Sequence, residues 1–96
     1  MKLRNVRLFT IRLVVDVADH RSVSLAGVKN NIVQPGVTKQ ICNLEALLGF
    51  ELFERSESKR RITGVTDRGK PVVEHFRRVL DTIEELEEGE IDEPVE

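Results

Sequence analysis

Gln34, Thr38 and Lys39 set a carboxamide, a hydroxyl and an ammonium group within the first turns of a helix that starts near Gln34. Such groups suit hydrogen bonds to base edges and phosphate oxygens. Pro35 and Gly36 lie between them, and a glycine there keeps the first helical turn low, so that backbone and side chains can approach a groove closely. Asn43, further along, adds a second amide for base discrimination. Arg55, Lys59, Arg60 and Arg61 form a basic group suited to phosphate, diluted by Glu54 and Glu57. Ser22 and Ser24, upstream, are further candidates for the same contacts.

The elements that must position these residues are legible from spacing. Val37, Ile41, Leu44 and Leu48 recur at intervals of four, three and four, which predicts one apolar face of a helix starting near Gln34. Proline is tolerated in a first turn, and Gly49 supplies a left-handed stop, with Phe50 beyond it able to fold back. Leu8, Ile11, Val15 and Ala18 predict the inward stripe of an earlier helix. Ser22 or Ser24 can cap a short second helix to about Asn30, leaving residues 30–33 as the turn. After Gly49, residues 50–53 alternate like an edge strand, and residues 62–65 supply its partner. The predicted hairpin carries the basic group at its tip.

From Thr66, a suitable cap, the chain turns helical again to about Glu88. Val72, Phe76, Val79, Ile83 and Leu86 follow a four-three-four-three spacing, with Val73 and Leu80 flanking, which predicts a coiled-coil seam and a homodimer. Left in water, each large side chain forgoes roughly 1.5 to 3 kcal/mol of burial. Pro71 falls in the first turns of this helix and predicts a slight bend or a late start.

Together these elements predict a mainly α fold, a winged helix-turn-helix of three helices plus a β-hairpin wing, followed by a long dimerisation or linker helix. The winged domain spans residues 1–65, with the helix-turn-helix over about 23–42 and the wing over about 50–65. The linker helix occupies 66–88, and 89–96 form an acidic flexible tail.

Charge is divided along the chain. The 96 residues carry a net charge of −2, an odd value for a protein meant to meet a polyanion. Residues 1–80 hold all 15 Lys and Arg against 8 acids, a balance of +7, while residues 81–96 hold 9 acids and no base. The body is basic and the tail acidic, so the overall figure hides a cationic domain. With neither a signal peptide nor an apolar run of membrane-span length, and with one cysteine, the expected location is the cytoplasm, away from membranes. No phosphate loop or paired metal-ligand motif appears, and His20, His75 and Cys42 stand apart, so neither a cofactor nor an enzymatic activity is expected. Cys42 is expected to be a small semi-buried thiol, and the histidines surface residues.

From Val6 to about Leu86 the sequence resembles the amino-terminal winged helix-turn-helix domain and linker helix of LysR-type bacterial transcriptional regulators. The likeness rests on Val17, Ala18 and Asp19 with Ser22, Val23, Ser24 and Ala26, on residues 34–41, on Leu44, Glu45, Leu48 and Gly49, on residues 52–55, and on Thr66 with Gly69. Residues 35–40 and 62–66 are most similar to the branch that controls cysteine biosynthesis and sulfur assimilation. The resemblance implies double-stranded DNA as partner, with Gln34, Pro35, Gly36, Thr38 and Lys39 entering the major groove and Arg55 before the wing tip. It also implies homodimerisation through the linker helix, and a small-molecule effector bound only by a carboxy-terminal domain absent from this sequence, as in a domain cut at its hinge. Three departures weaken the middle of the motif: Asn30 stands where the family has an apolar residue, Gly27 where it has alanine, and Val33 where it has a serine or threonine cap. Cys42 and Asn43 replace positions that are often basic. These departures support the rival reading, a winged dimerisation or protein-interaction module that has lost DNA binding.

Overall fold

The computed structural model describes residues 3–58 and 61–90. Helices α1 (Leu8–His20), α2 (Val23–Asn30) and α3 (Gln34–Leu48) come first, then strands β1 (Phe53–Arg55) and β2 (Ile62–Val65), then the long helix α4 (Gly69–Glu85). A π-helical turn, Leu86–Glu90, prolongs α4, so the helical backbone runs past the end expected near Glu88 and into the first residues of the acidic segment. Residues 91–96 lie outside the described residues.

Helix α3 begins and ends at the residues marked by proline and glycine. Pro35 stands in its first turn, Gly49 takes φ 86° at its end, and Val37, Ile41, Leu44 and Leu48 are buried. Helix α1 departs from its predicted stripe. Leu13, Val14 and Val17 are its deepest residues, with Val15 nearly so, whereas Leu8, Ile11 and Ala18 are half-buried. The reason is that α1 packs against α2, α3 and α4 together, so it buries more than one side and no single stripe describes it. Of the two candidate caps for α2, Ser22 is used: its Oγ accepts the Leu25 N–H at 3.0 Å. Asn31 then takes a left-handed conformation and turns the chain toward α3.

Asn30, polar where the resemblance implies an apolar residue, has both amide donors employed. Its Nδ2 donates to Asp16 Oδ2 and to the Ala26 carbonyl, both at 2.8 Å, and thereby fastens the end of α2 to α1. What reads as a weakened second helix is one held by polar bonds instead.

The wing is a two-stranded antiparallel sheet. Its first strand starts at Phe53, three residues later than predicted, because Leu52 and Phe53 are both fully buried and serve as the root of the wing in the core. Phe53 pairs with Val65 and Glu54 with Gly64, but Arg55 pairs with Ile62, so Thr63 is an extra residue that bends the hairpin. Ser56 N–H donates to the Arg61 carbonyl at 2.9 Å and closes the loop, whose Lys59 and Arg60 lie outside the described residues.

Thr66 does cap the entry to α4, although the helix proper starts at Gly69. Its Oγ1 accepts the Gly69 N–H at 2.9 Å and donates to the Glu51 carbonyl at 2.7 Å, clamping the helix start to the wing root. Pro71 sits third in the helix, where its missing donor would have had no intrahelical partner, so no bond is lost. Val73 and Phe76 bury α4 against the body. Alongside them, Arg77 Nη2 meets Asp19 Oδ1 at 2.6 Å, and this hydrogen bond raises the guanidinium above its ordinary pKa. No described helix is long and apolar enough to cross a membrane.

Candidate nucleic-acid interface

The buried stripe of α3 dictates what the rest of the helix shows to solvent. Gln34, Pro35, Thr38, Lys39, Cys42 and Asn43 are all exposed. Cys42 is thus an exposed thiol, not the semi-buried one expected, because its position falls well outside the buried stripe. Gly36 is half-buried, and the Cβ of any other residue would come 2.9 Å from Cδ1 and Cγ1 of Ile32. A glycine there therefore makes room for Ile32 within the chain, in addition to keeping the turn low.

One flank of α3 faces the wing across a groove lined by Val23, Gln34, Thr38, Arg55, Arg61 and Ile62. The structure thus brings Gln34 and Thr38 together with the predicted wing cations Arg55 and Arg61. Arg55, however, is not a free cation. Its Nη2 lies 3.4 Å from Glu45 Oε1, and its side chain is mostly buried. Glu45 Oε2 in turn accepts the Leu52 N–H at 2.7 Å, so one carboxylate ties α3 to both the root and the first strand of the wing. Arg55 Nη1 is buried with no partner among the described residues. Arg61 is exposed and remains available at the groove. Ser22 spends its oxygen on the α2 cap, whereas Ser24 is exposed one residue into that helix.

The other flank holds Asn43, which lines a separate cleft with Asn5, Arg7, Thr10, Gln40 and Leu47. The predicted amides are thereby split, Gln34 on the wing side and Asn43 on the side of the chain's first residues. Within this cleft Thr10 donates to Gln40 Oε1 at 2.8 Å and fixes the orientation of that amide. Nothing in the types or spacing of Arg7, Gln40 and Glu45 marks them as neighbours of the predicted site residues, beside which the fold places them. Glu45 lies next to the buried Leu44, and nothing in its spacing reveals a partner ten residues on. Among the described residues, no cluster of His, Cys, Asp and Glu is placed to hold a metal ion.

Residues 8–70 match the family described as bacterial regulatory helix-turn-helix protein, lysR family. This chain belongs to the LysR family. Among its relatives is the HTH-type transcriptional regulator CfxR of Cupriavidus necator, 33% identical over 87 residues that make up 91% of this chain and 26% of the relative. The HTH-type transcriptional regulator CzcR of Bacillus subtilis is 32% identical over 92 residues, 96% of this chain and 29% of its own length. This LysR-family chain therefore spans roughly a quarter of the curated relatives it matches. Among solved structures, a DNA complex of the BenM DNA-binding domain superposes with a TM-score of 0.75 at 30% identity, covering 84% of this chain and 88% of that one. A CbnR DNA-binding domain complexed with DNA gives 0.73 at 30% identity, covering 84% and 90%.

The long helix of this LysR-family chain divides its predicted seam between core and surface. Phe76, only 7% exposed, and Val73 are part of the chain's own core, so Phe76 is not free to pair with a second copy as the spacing predicted. Ile83 is half-buried in a cleft with Leu80, Arg12 and Asp16. Val79 and Leu86 stand 40% and 60% exposed, and half-buried Val72 completes a column spaced by seven residues along the outer side.

Proposed function

We propose that this chain is the sequence-specific, double-stranded DNA-binding part of a bacterial LysR-type transcriptional regulator. The observation that carries the reading is the exposure of Gln34, Thr38 and Lys39 at the start of α3, outside its buried stripe, with Gln34 and Thr38 sharing a groove with Arg61 of the wing. A helix end so presented, backed by α2 and flanked by a hairpin, fits a major groove, with the wing along the neighbouring minor groove or backbone. Gln34, Thr38 and Asn43 discriminate bases, worth roughly 1 to 3 kcal/mol per good contact. Lys39 and Arg61, with Lys59 and Arg60, neutralise phosphates. Arg55 acts chiefly by holding the wing in place. The likeness to domains solved in DNA complexes supports this assignment.

Pairing through α4 completes the proposal: the column of Val72, Val79 and Leu86 is the part of the seam left open for a second copy, which would set two recognition helices a fixed distance apart. The chain acts in the cytoplasm, and any small-molecule effector is bound by a further domain of the whole regulator. Genes of sulfur and cysteine metabolism are the proposed targets, on the likeness of residues 35–40 and 62–66; the relatives named above carry other names.

Replacing Thr38 and Lys39 together by alanine tests the reading against an interaction module. Both side chains are exposed, so the fold is spared. DNA affinity should collapse while sedimentation still shows the dimer. Unchanged DNA binding would contradict the assignment of α3 as the reading element.

A further inference from the structure

Val33 breaks the usual rule for a helix start. The residue before the first turn is normally Ser, Thr, Asp or Asn, whose side chain accepts a hydrogen bond from a free N–H. Val33 accepts none through its side chain, and its isopropyl group stands 73% exposed. The backbone has closed in around it: the Gly36 and Val37 N–H groups both donate to the Val33 carbonyl, at 2.9 and 3.2 Å, and Pro35 has no N–H to offer. Two backbone N–H groups of this first turn are thus taken, and a third is missing. What the turn presents is carbon, namely the Val33 methyls and the exposed Pro35 ring. At Gly36, which has no side chain, the site of a Cβ is 3.9 Å from Val33 Cγ2.

A residue that forgoes a cap and exposes an apolar group, at the point where the proposed reading helix begins, is the kind of local conflict expected where binding is served. The apolar feature that a major groove offers is the 5-methyl group of thymine. Val33 itself has no side-chain donor to offer a phosphate or sugar oxygen. We infer that Val33 is a specificity-determining residue that packs against a thymine methyl beside the bases met by Gln34 and Thr38. The inference rests on the DNA-binding reading above and deepens it.

The test starts from duplexes selected out of a random pool by the 96-residue chain. Each thymine of the selected site is then replaced in turn by uracil, which removes the methyl and keeps every hydrogen-bonding group, and affinity is read by fluorescence anisotropy. At one thymine of each half-site the wild-type chain should bind the uracil duplex roughly fourfold more weakly, the worth of one buried methyl. Val33→Ser, which restores a cap and should melt no lower than wild type, should bind the two duplexes equally. A selected motif whose thymines all tolerate uracil, or a penalty that Val33→Ser retains, overturns the role of Val33. If the pool yields no motif and no salt-dependent binding, the DNA-binding reading itself falls, and this inference with it.

Discussion

The carboxylate of Glu45 on α3 and the guanidinium of Arg55 on the wing lie 3.4 Å apart in a nearly enclosed setting, and the same carboxylate receives the Leu52 N–H at 2.7 Å. This pairing fixes the angle between the helix proposed to read DNA and the hairpin that flanks it. A hairpin of two short strands is marginal by itself, so its position depends on such anchors and on Leu52 and Phe53 in the core.

Glu45→Ala should therefore lower the unfolding free energy by about 2 to 4 kcal/mol, since it strands both a backbone donor and a mostly buried cation. Glu45→Gln, which keeps an acceptor for Leu52, should cost less. Urea denaturation measures the difference; equal losses for the two variants would show that the Leu52 bond contributes little.

On α4, Val79 and Phe76 should respond in opposite ways. Val79→Glu changes an exposed residue, so the chain should stay folded while sedimentation shows a shift toward monomer. Phe76→Ala opens a cavity in the chain's own core and should cost about 3 to 5 kcal/mol of stability. A Val79→Glu chain that dimerises like wild type would contradict the role assigned to the outer column.

Gly69 and Gly27 mark close approaches of backbone to backbone. A Cβ at Gly69 would lie 2.5 Å from the Leu52 carbonyl oxygen, and one at Gly27 would lie 2.6 Å from that of Ile32. Alanine at either position should destabilise by about 1 to 3 kcal/mol despite its better helix propensity, because the opposing atoms are main chain and cannot swing away. Thermal unfolding checks both.

Val33→Ser should act the other way. Restoring a side-chain cap to α3 should add about 1 kcal/mol, raising the melting temperature by about 4 to 8 °C in a domain of this size. A melting temperature below that of wild type would show that the isopropyl group stabilises the turn.

How much of this was legible in the sequence differs from element to element. Helix α3 was readable to its ends because one stripe, one proline and one glycine agree. Strand β2 was equally clear, whereas β1 was displaced because Leu52 and Phe53, adjacent in sequence, both enter the core and break the alternation a strand reading depends on. Helix α1 has several packing partners, which a single periodic stripe does not represent. On α4, a seam and a core stripe differ by a few positions, and Phe76 satisfies both patterns until its own core claims it. Gln34, Thr38 and Lys39 are marked by type and spacing as groove-facing candidates, and the fold leaves all three exposed. Arg55 is equally marked as a cation suited to phosphate, but its pairing with Glu45 is not legible, since Glu45 lies on another element and only the fold brings the two together.

The most direct test of the central claim is binding of the chain to random-sequence duplex DNA, followed by fluorescence anisotropy across a salt series. Each phosphate neutralised by Lys39, Arg61 and their neighbours contributes a slope of about −0.9 in the logarithm of affinity against that of salt, so a steep loss of affinity with rising salt is predicted. Weak binding that ignores salt, from a chain that sedimentation shows to be folded and dimeric, would contradict the account.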